Sequence, residues 1–205
     1  PKLSASGSVR KKLCIMGMDK YSDFKTLAAN ETLNRDYKIL VRDMGSDISI
    51  VAPHGGLIEP KTSLITKLIA GDTFNYYCFE GIKDRNNQDL HITSHRFDEP
   101  KALDLISSSD IIITIHACKD IEDAIYVGGC FKELVCHIQN ILGKAKIKIS
   151  KQKNKFPGTH PDNICNKGRR KRGVQLEISR GLRDDFQKIF SISTSIRKIL
   201  QTFKF

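Results

Sequence analysis

The sequence predicts an α/β fold, a three-layer sandwich in which helices flank a central mixed, mostly parallel sheet. Short β-branched apolar runs alternate along the chain with segments of helical periodicity, which is the pattern of a layered α/β domain. Residues 48–52 show no polar alternation beyond Ser49, as expected of a strand covered on both faces. A length of 205 residues suits one domain, which we place at 21–205 after a polar, flexible segment at 1–20.

Each element is predicted from a local pattern. Phe24 and Leu27 have the spacing of an amphipathic helix within 21–33, and Pro60 suits the start of a helix that continues over Thr62–Ala70. The predicted strands are 37–42, 48–52, 73–79, 90–94, 110–116, 145–149 and 173–178. The other predicted helices are 99–107, 128–142 and one or two within 184–205. Residues 150–172 have the composition of a long irregular loop, and such loops are often functional.

Composition narrows the class of protein. No apolar run approaches the roughly 18 residues that a membrane helix needs, so no membrane span is expected. The six cysteines show no CxxC spacing, and a disulfide framework is not expected in a chain of this size. A less favoured alternative is a thiol zinc site, for which the candidate ligands are Cys130, Cys136, His137 and Cys165.

The net charge of +11 favours anionic partners, which include nucleic acid, acidic membrane surfaces and acidic polymers. Part of the charge lies in a basic run at residues 167–172. That run either grips a polyanion or is a solvated loop, and its composition does not decide between them. No nucleic-acid-binding motif accompanies the charge, so we do not expect a nucleic-acid partner.

The sequence motif around His54 is the first that suggests a catalytic site. A buried strand runs into His54-Gly55-Gly56, and Glu59 follows five residues after the histidine. Glycines let a backbone pass close to a ligand, so His54 and Glu59 suit a catalytic metal. The alternative is equally weighted at this point: a hydrogen-bonded turn histidine and a carboxylate at a helix start.

Two further polar groups fall near the ends of predicted strands. His116 ends one apolar strand and Glu177 lies near the end of another, and parallel strands bring such groups to one rim of a sheet. Two histidines, a glutamate and an open position for water form a common catalytic zinc arrangement, which His54, Glu59 and His116 can supply. Glu177 can then take the proton of the water and pass it to a leaving amine. The alternatives are a core histidine at 116 and a salt-bridged carboxylate at 177.

An ordered set of words resembles one family. The words are LAANE at 27–31, VAPHGGLIEP at 51–60, FEG at 79–81, DLHITS at 89–94, FDEP at 97–100, YVGG at 126–129, NICN at 163–166 and GVQLEIS at 173–179. Together they resemble the phage and Bacillus poly-γ-glutamate hydrolases, zinc-dependent enzymes related in fold to the metallocarboxypeptidases. The resemblance covers most of the chain, although Ala117-Cys118 stands where a glycine-rich turn is expected in relatives.

The resemblance implies a zinc hydrolase of the γ-amide bonds of poly-γ-glutamate, an anionic capsule polymer. Its ligands would be His54, Glu59 and His116, with Glu177 as general base and then acid. Arg180 and Arg183 are candidates for binding the substrate's carboxylates, against the alternative of an ion pair with Asp184 or Asp185. His91 is a candidate for binding substrate or stabilising the oxyanion, against a packing role.

We expect a monomer that acts outside the cell on capsule polymer, after secretion or host lysis. An alternative enzyme keeps the zinc but cleaves peptidoglycan peptides or N-acyl amino acids. A basic nucleic-acid-binding protein is the alternative of another class. The ligand types alone do not separate zinc from cobalt or manganese.

Overall fold

A computed structural model of the protein describes residues 19–152 and 155–203. The strands are β1 Tyr37–Arg42, β2 Ile48–Gly56, β3 Asn75–Gly81, β4 Ile111–Ala117, β5 Ile125–Gly128 and β6 Val174–Ile178. The α-helices are α1 Phe24–Asn30, α2 Thr62–Ala70, α3 Pro100–Ser107, α4 Lys132–Lys144, α5 Arg180–Arg183 and α6 Phe186–Thr202. Two short 3₁₀ turns lie at Asn87–Leu90 and Ile164–Asn166.

The strands form one mixed sheet in the order β1-β3-β2-β4-β6-β5. The four central strands β3, β2, β4 and β6 are parallel, and the edge strands β1 and β5 are antiparallel to their neighbours. His116 and Glu177 are paired in register across β4 and β6. The predicted α/β sandwich with a mixed, mostly parallel sheet is therefore confirmed. The polar residues at the carboxyl ends of β4 and β6 lie side by side.

Each face of the sheet supports its own hydrophobic core. Ile113 and Leu176 belong to the core under α2, α4 and α6, whereas Val51 and Ile112 belong to the core on the other face, with α1 and α3. Successive strand residues point to opposite faces, so an apolar run such as Ile111–Ile113 feeds both cores. Gln175 and Glu177 alternate with Val174 and Leu176, so their side chains lie on the face away from α4 and α6.

Two predicted strands are wrong. Residues 90–94 form no strand: Leu90 and Ile92 are fully buried, but the backbone N–H of Thr93 donates to the carboxylate of Asp19, at 2.7 Å. Leu90 ends the 3₁₀ turn, and the residues after it run past His54, whose Nε2 lies 2.8 Å from the Ile92 carbonyl oxygen. Residues 145–149 make only an isolated bridge, from Ile149 to Ile125.

The strand that the pattern missed is β5. Its four residues are too short for a periodic signal, and Gly128 has its place because a Cβ there would lie 2.6 Å from the carbonyl oxygens of Phe156 and Pro157. The predicted helix at 128–142 accordingly begins later, at Lys132.

Most of the predicted segment at 1–20 lies outside the described residues. Its last two residues, Asp19 and Lys20, form hydrogen bonds with Thr93 and Asp89 of the domain. Among the helices of the described part of the chain, none has the length and hydrophobicity needed to cross a membrane.

Candidate metal centre

The turn after β2 brings Glu59 back to His54. Gly56 has a φ of +63°, and a Cβ on it would lie 2.3 Å from the carbonyl oxygen of Gly81. A Cβ on Gly55 would lie 2.1 Å from Ser63 Oγ. Only glycine fits at these two positions, and the glycines allow a tight turn in which the Glu59 N–H donates to the His54 carbonyl at 2.9 Å. The spacing of five residues therefore corresponds to a turn that brings Glu59 back beside His54.

Three side chains converge at this turn. His54 Nδ1 lies 3.1 Å from His116 Nδ1 and 3.3 Å from Glu59 Oε1. His116 Nδ1 lies 3.7 Å from Glu59 Oε2. Two ligand atoms that are each about 2.0–2.1 Å from a tetrahedral ion lie about 3.3 Å apart. The three separations are close to the edges of such a tetrahedron.

Neighbouring groups fix which atoms face the centre. His54 Nε2 lies 2.8 Å from the Ile92 carbonyl oxygen, which can only accept, so Nε2 carries a proton, and Nδ1 faces the centre with a lone pair when the ring is neutral. Glu59 Oε2 accepts from the backbone N–H of Ala117 at 2.9 Å. His116 Nε2 lies 3.4 Å from Ser94 Oγ. Each potential ligand is thus held from its far side, as in many metal sites.

The electrostatics favour one carboxylate and one neutral imidazole. Burial lowers the pKa of His116 to about 3, so this ring is neutral at pH 7. Burial acts to raise the pKa of Glu59, but the charge and hydrogen bond of His54, together with the neighbouring His116 and His91, outweigh it, and the pKa is lowered below 4.5. Burial acts to lower the pKa of His54, but the charge of Glu59 and its hydrogen bond raise it above 6.5. A cation would replace the proton that Glu59 attracts to His54.

His91 is also at the centre, in a different orientation. Its ring is stacked on that of His54, with centroids 4.0 Å apart and planes at 30°. His91 Nδ1 donates to Asp19 at 2.7 Å, so Nε2 is the nitrogen left to face another group. The charge of His54, followed by burial, lowers the pKa of His91 to about 4. Donors of His54, Glu59 and His91 form a second group within 4.8 Å of one another, so proximity alone does not choose between His91 and His116.

Asp19 is a part of this centre that the sequence did not indicate. Besides His91, it accepts from the backbone N–H of Thr93 and from the guanidinium of Arg96. It stands 72 residues from His91 in the chain, and no local pattern predicts such a pairing.

Glu177 lies beside His116, as predicted. The two are register partners in neighbouring strands, and 7% of Glu177 is exposed. Burial and then the negative charge of Glu59 raise the pKa of Glu177 well above 4.5. This carboxyl therefore binds a proton more readily than a solvent-exposed glutamate does.

The two candidate arginines differ. Arg183 is buried, and its guanidinium donates to three carbonyl oxygens: those of Ile178 at 3.0 Å, Pro60 at 2.6 Å and Cys118 at 3.0 Å. It thereby ties the segment after Glu59 to those after His116 and Glu177. Arg180 is exposed and pairs with Asp184 at 3.3 Å, which is the ion pair that we gave as the alternative.

The basic run lies at the opposite end of the strands, where the parallel strands begin. Arg169 pairs with Asp110 at 2.8 Å and with Asp47, and both aspartates immediately precede parallel strands. Arg172 stacks 4.0 Å from the centroid of the Phe131 ring. The run therefore sits where β2 and β4 begin, whereas the histidines lie where these strands end.

The alternative thiol site gains no support from the structure. Cys130, Cys136 and Cys165 are free. Burial raises the pKa of the Cys165 thiol to about 12. Within 19–152 and 155–203, potential metal-ligand atoms of three residues cluster only around His54.

Comparison with known proteins identifies the family. The profile of the family described as "Poly-gamma-glutamate hydrolase" matches residues 21–204. The SPbeta prophage-derived UPF0714 protein YoqZ of Bacillus subtilis is 35% identical over 181 residues, which cover 87% of this chain and 65% of that protein. The chain thus spans slightly less than two thirds of this relative.

Two solved structures are similar over nearly the whole described chain. A structure of bacteriophage poly-gamma-glutamate hydrolase has a TM-score of 0.86 and 29% identity, over 90% of this chain and 98% of that one. A zinc-free apo structure of YndL has a TM-score of 0.84 and 28% identity, over 90% of this chain and 98% of that one. The resemblance that the ordered words indicated is confirmed: the chain belongs to the poly-gamma-glutamate hydrolase family.

Proposed function

We propose that this chain hydrolyses γ-glutamyl amide bonds of poly-γ-glutamate, with a zinc ion held by His54, Glu59 and His116. The observation that carries the proposal is the convergence of two imidazole nitrogens and a carboxylate, at 3.1, 3.3 and 3.7 Å. The family to which the chain belongs supports the substrate, and the zinc-free apo state of the similar YndL structure supports the metal.

Ring geometry favours His116 over His91 as the second histidine ligand. The lone pair of an imidazole nitrogen lies in the plane of its ring. His91 and His54 are stacked with nearly parallel planes, 4.0 Å between centroids and 30° apart, so their lone pairs do not converge on one ion. The planes of His54 and His116 are 58° apart, and their Nδ1 atoms already face each other.

When bound at these residues, zinc would act as a Lewis acid on the scissile carbonyl and would lower the pKa of water. Glu177 is the group that moves the proton. Its carboxylate takes a proton from the attacking water and delivers it to the nitrogen of the leaving amine. Burial of Glu177 raises its pKa and so helps it to hold that proton between the two steps.

His91 and Arg180 are the proposed contacts to substrate. His91 offers Nε2 at the centre while Asp19 holds Nδ1–H, so in the neutral ring Nε2 carries a lone pair and is oriented to accept from an amide N–H of the substrate. Arg180 is exposed, and an exposed pair such as that with Asp184 contributes only about 0–1 kcal/mol. It can therefore exchange Asp184 for a carboxylate of the polymer. Arg183 is assigned to positioning, because its donors already serve three carbonyl groups.

The metal assignment is tested by metal analysis of two matched variants. His116→Ala removes a proposed ligand, whereas His91→Ala removes a neighbouring ring of equal size. We expect the purified His116→Ala protein to lose most of its zinc and the His91→Ala protein to keep one ion per chain. The opposite result would assign the ligand to His91.

The reaction is tested by the viscosity of purified poly-γ-glutamate. We expect chelation to abolish depolymerisation, and Glu177→Gln to keep zinc but lose activity. A fully active Glu177→Gln protein would overturn the role of this residue. Release of fragments from cell wall but not from the polymer would assign the site to peptidoglycan peptides instead. We place the reaction outside the cell, on capsule polymer, so capsule loss from intact cells treated with the protein is the corresponding test.

A further inference from the structure

Gln175 stands next to the proposed catalytic carboxylate and has no part in the mechanism above. Gln175 and Glu177 are two residues apart on β6, so their side chains point to the same face of the sheet. Gln175 Nε2 donates to Glu177 Oε1 at 3.3 Å. Both side chains are buried, with 6% and 7% of the residues exposed.

The direction of this hydrogen bond is set by a fixed donor outside the strand. The backbone N–H of Cys165 can only donate, and it donates to Asn163 Oδ1 at 3.1 Å. Asn163 must then turn its amide nitrogen to Gln175, where Nδ2 donates to Oε1 at 2.8 Å. Because Oε1 is so occupied, Gln175 presents Nε2–H, and not its oxygen, to Glu177.

The loop before Asn163 covers the side chain of Gln175. Gly158 passes over it with a φ of +60°, and a Cβ on Gly158 would lie 2.9 Å from the Cβ of Gln175. Asn166 holds this loop by donating to the carbonyl oxygens of Gly158 and His160, each at 3.0 Å. The side chain of Gln175 is thus covered by the loop, whereas its amide is oriented by Asn163.

From this geometry we infer that Gln175 is a positioning residue, which Asn163 orients so that its N–H holds one oxygen of the Glu177 carboxylate. The inference rests on the proposed role of Glu177 as general base. Oε1 of Glu177 is occupied by Gln175, so Oε2 is the oxygen that receives the proton and releases it to the leaving amine. An N–H donor also favours the ionised carboxylate, which is the form that acts as a base.

Asn163→Asp tests the inference from a distance, without touching Glu177. The new carboxylate still accepts from the Cys165 N–H, but it presents an oxygen instead of an N–H to Gln175. Gln175 then turns its Nε2 to this carboxylate and its Oε1 to Glu177, which replaces attraction by repulsion. We expect kcat on poly-γ-glutamate to fall about tenfold or more, with KM and zinc content unchanged.

Asn166→Asp is the matched control. It is the same substitution in the same buried loop, and it loses two hydrogen bonds to that loop without meeting Gln175. We expect it to lower the melting temperature as much as Asn163→Asp does, but to change kcat less than threefold. Equal losses of kcat in both variants would show that Asn163 and Gln175 only stabilise the structure, and would overturn the inference.

A second measurement does not depend on activity. In a Glu177→Gln background, the new amide can donate to the reversed Gln175, so we expect Asn163→Asp to lower the melting temperature by less than half of what it costs in the parent protein. The same loss in both backgrounds would overturn the inference. The proposed function would fail in a different way, through a parent protein that binds no zinc or leaves the polymer intact.

Discussion

Gly56→Ala is expected to damage the centre without touching any of its side chains. Gly56 has a φ of +63°, in the left-handed region where a residue with a Cβ costs roughly 1–2 kcal/mol. Its Cβ would also lie 2.3 Å from the carbonyl oxygen of Gly81 and 2.9 Å from the Gly81 nitrogen, both of which are backbone atoms of β3. These atoms belong to a paired strand and cannot rotate away, so overpacking adds about 1–3 kcal/mol. The expected total is about 2–5 kcal/mol of unfolding free energy.

Gly45→Ala separates the two contributions. Gly45 has a nearly equal φ of +65°, and a Cβ there would meet nothing within 4 Å. It therefore carries the conformational cost of about 1–2 kcal/mol alone. Urea denaturation of both variants gives the difference, which we assign to the close approach between the turn and β3.

The same pair of variants tests the connection between the turn and the metal. Relief of the Gly56 clash moves the turn that carries Glu59, so we expect Gly56→Ala to hold zinc more weakly and Gly45→Ala to bind it normally. If both variants lose equal stability and keep equal zinc affinity, the argument that the glycine turn positions Glu59 is refuted.

Two further substitutions test the stability of the domain away from the centre. Glu31→Gln should lower the unfolding free energy by roughly 1–3 kcal/mol at pH 7, because the buried carboxylate accepts from Tyr21 and Lys83. Burial acts to raise the pKa of Glu31, but these partners lower it below 4.5. The contribution of the Glu31 carboxylate to the unfolding free energy is thus complete above pH 4.5 and is lost as the pH falls through the lowered pKa. Urea denaturation in acid should therefore give the variant and the parent the same stability. Gly143→Ala should raise the unfolding free energy by about 0.5–1 kcal/mol, since Gly143 is in helix α4 and its added Cβ meets nothing within 4 Å; a loss of stability in thermal denaturation would contradict this.

The parts of the site that could be predicted from sequence are those tied to strand ends. His54, His116 and Glu177 each end or nearly end an apolar run, and parallel pairing brings such positions together without further information. Glu59 could be placed near His54 because the two glycines indicate a tight turn. The proposed ligands and the proposed base therefore follow from local patterns, from a general rule of sheet topology and from the family resemblance.

The supporting residues could not be predicted, because their partners are remote in the chain and follow no period. Asp19 reaches His91 across 72 residues, and Asn163 reaches Gln175 from a loop that gives no periodic signal. The wrong strand at 90–94 has a related cause. Its alternation records correctly that Leu90 and Ile92 are buried, but alternation does not reveal whether the backbone pairs with a strand or with a carboxylate.

The basic run at 167–172 supplies a last prediction, about the role of net charge. Lys171 is exposed, while Arg169 is paired with aspartates where the parallel strands begin. From Ile111 to His116 the sheet extends about 17 Å at 3.3 Å per residue, roughly twice the Debye length of about 8 Å at physiological salt. A charge at this edge therefore contributes little at the catalytic edge. Lys171→Asn removes the charge and suits the φ of 51°, so we expect KM for poly-γ-glutamate to stay within about twofold at 0.15 M salt. A several-fold rise in KM would mean that the polymer reaches this edge, and that the run takes part in binding after all.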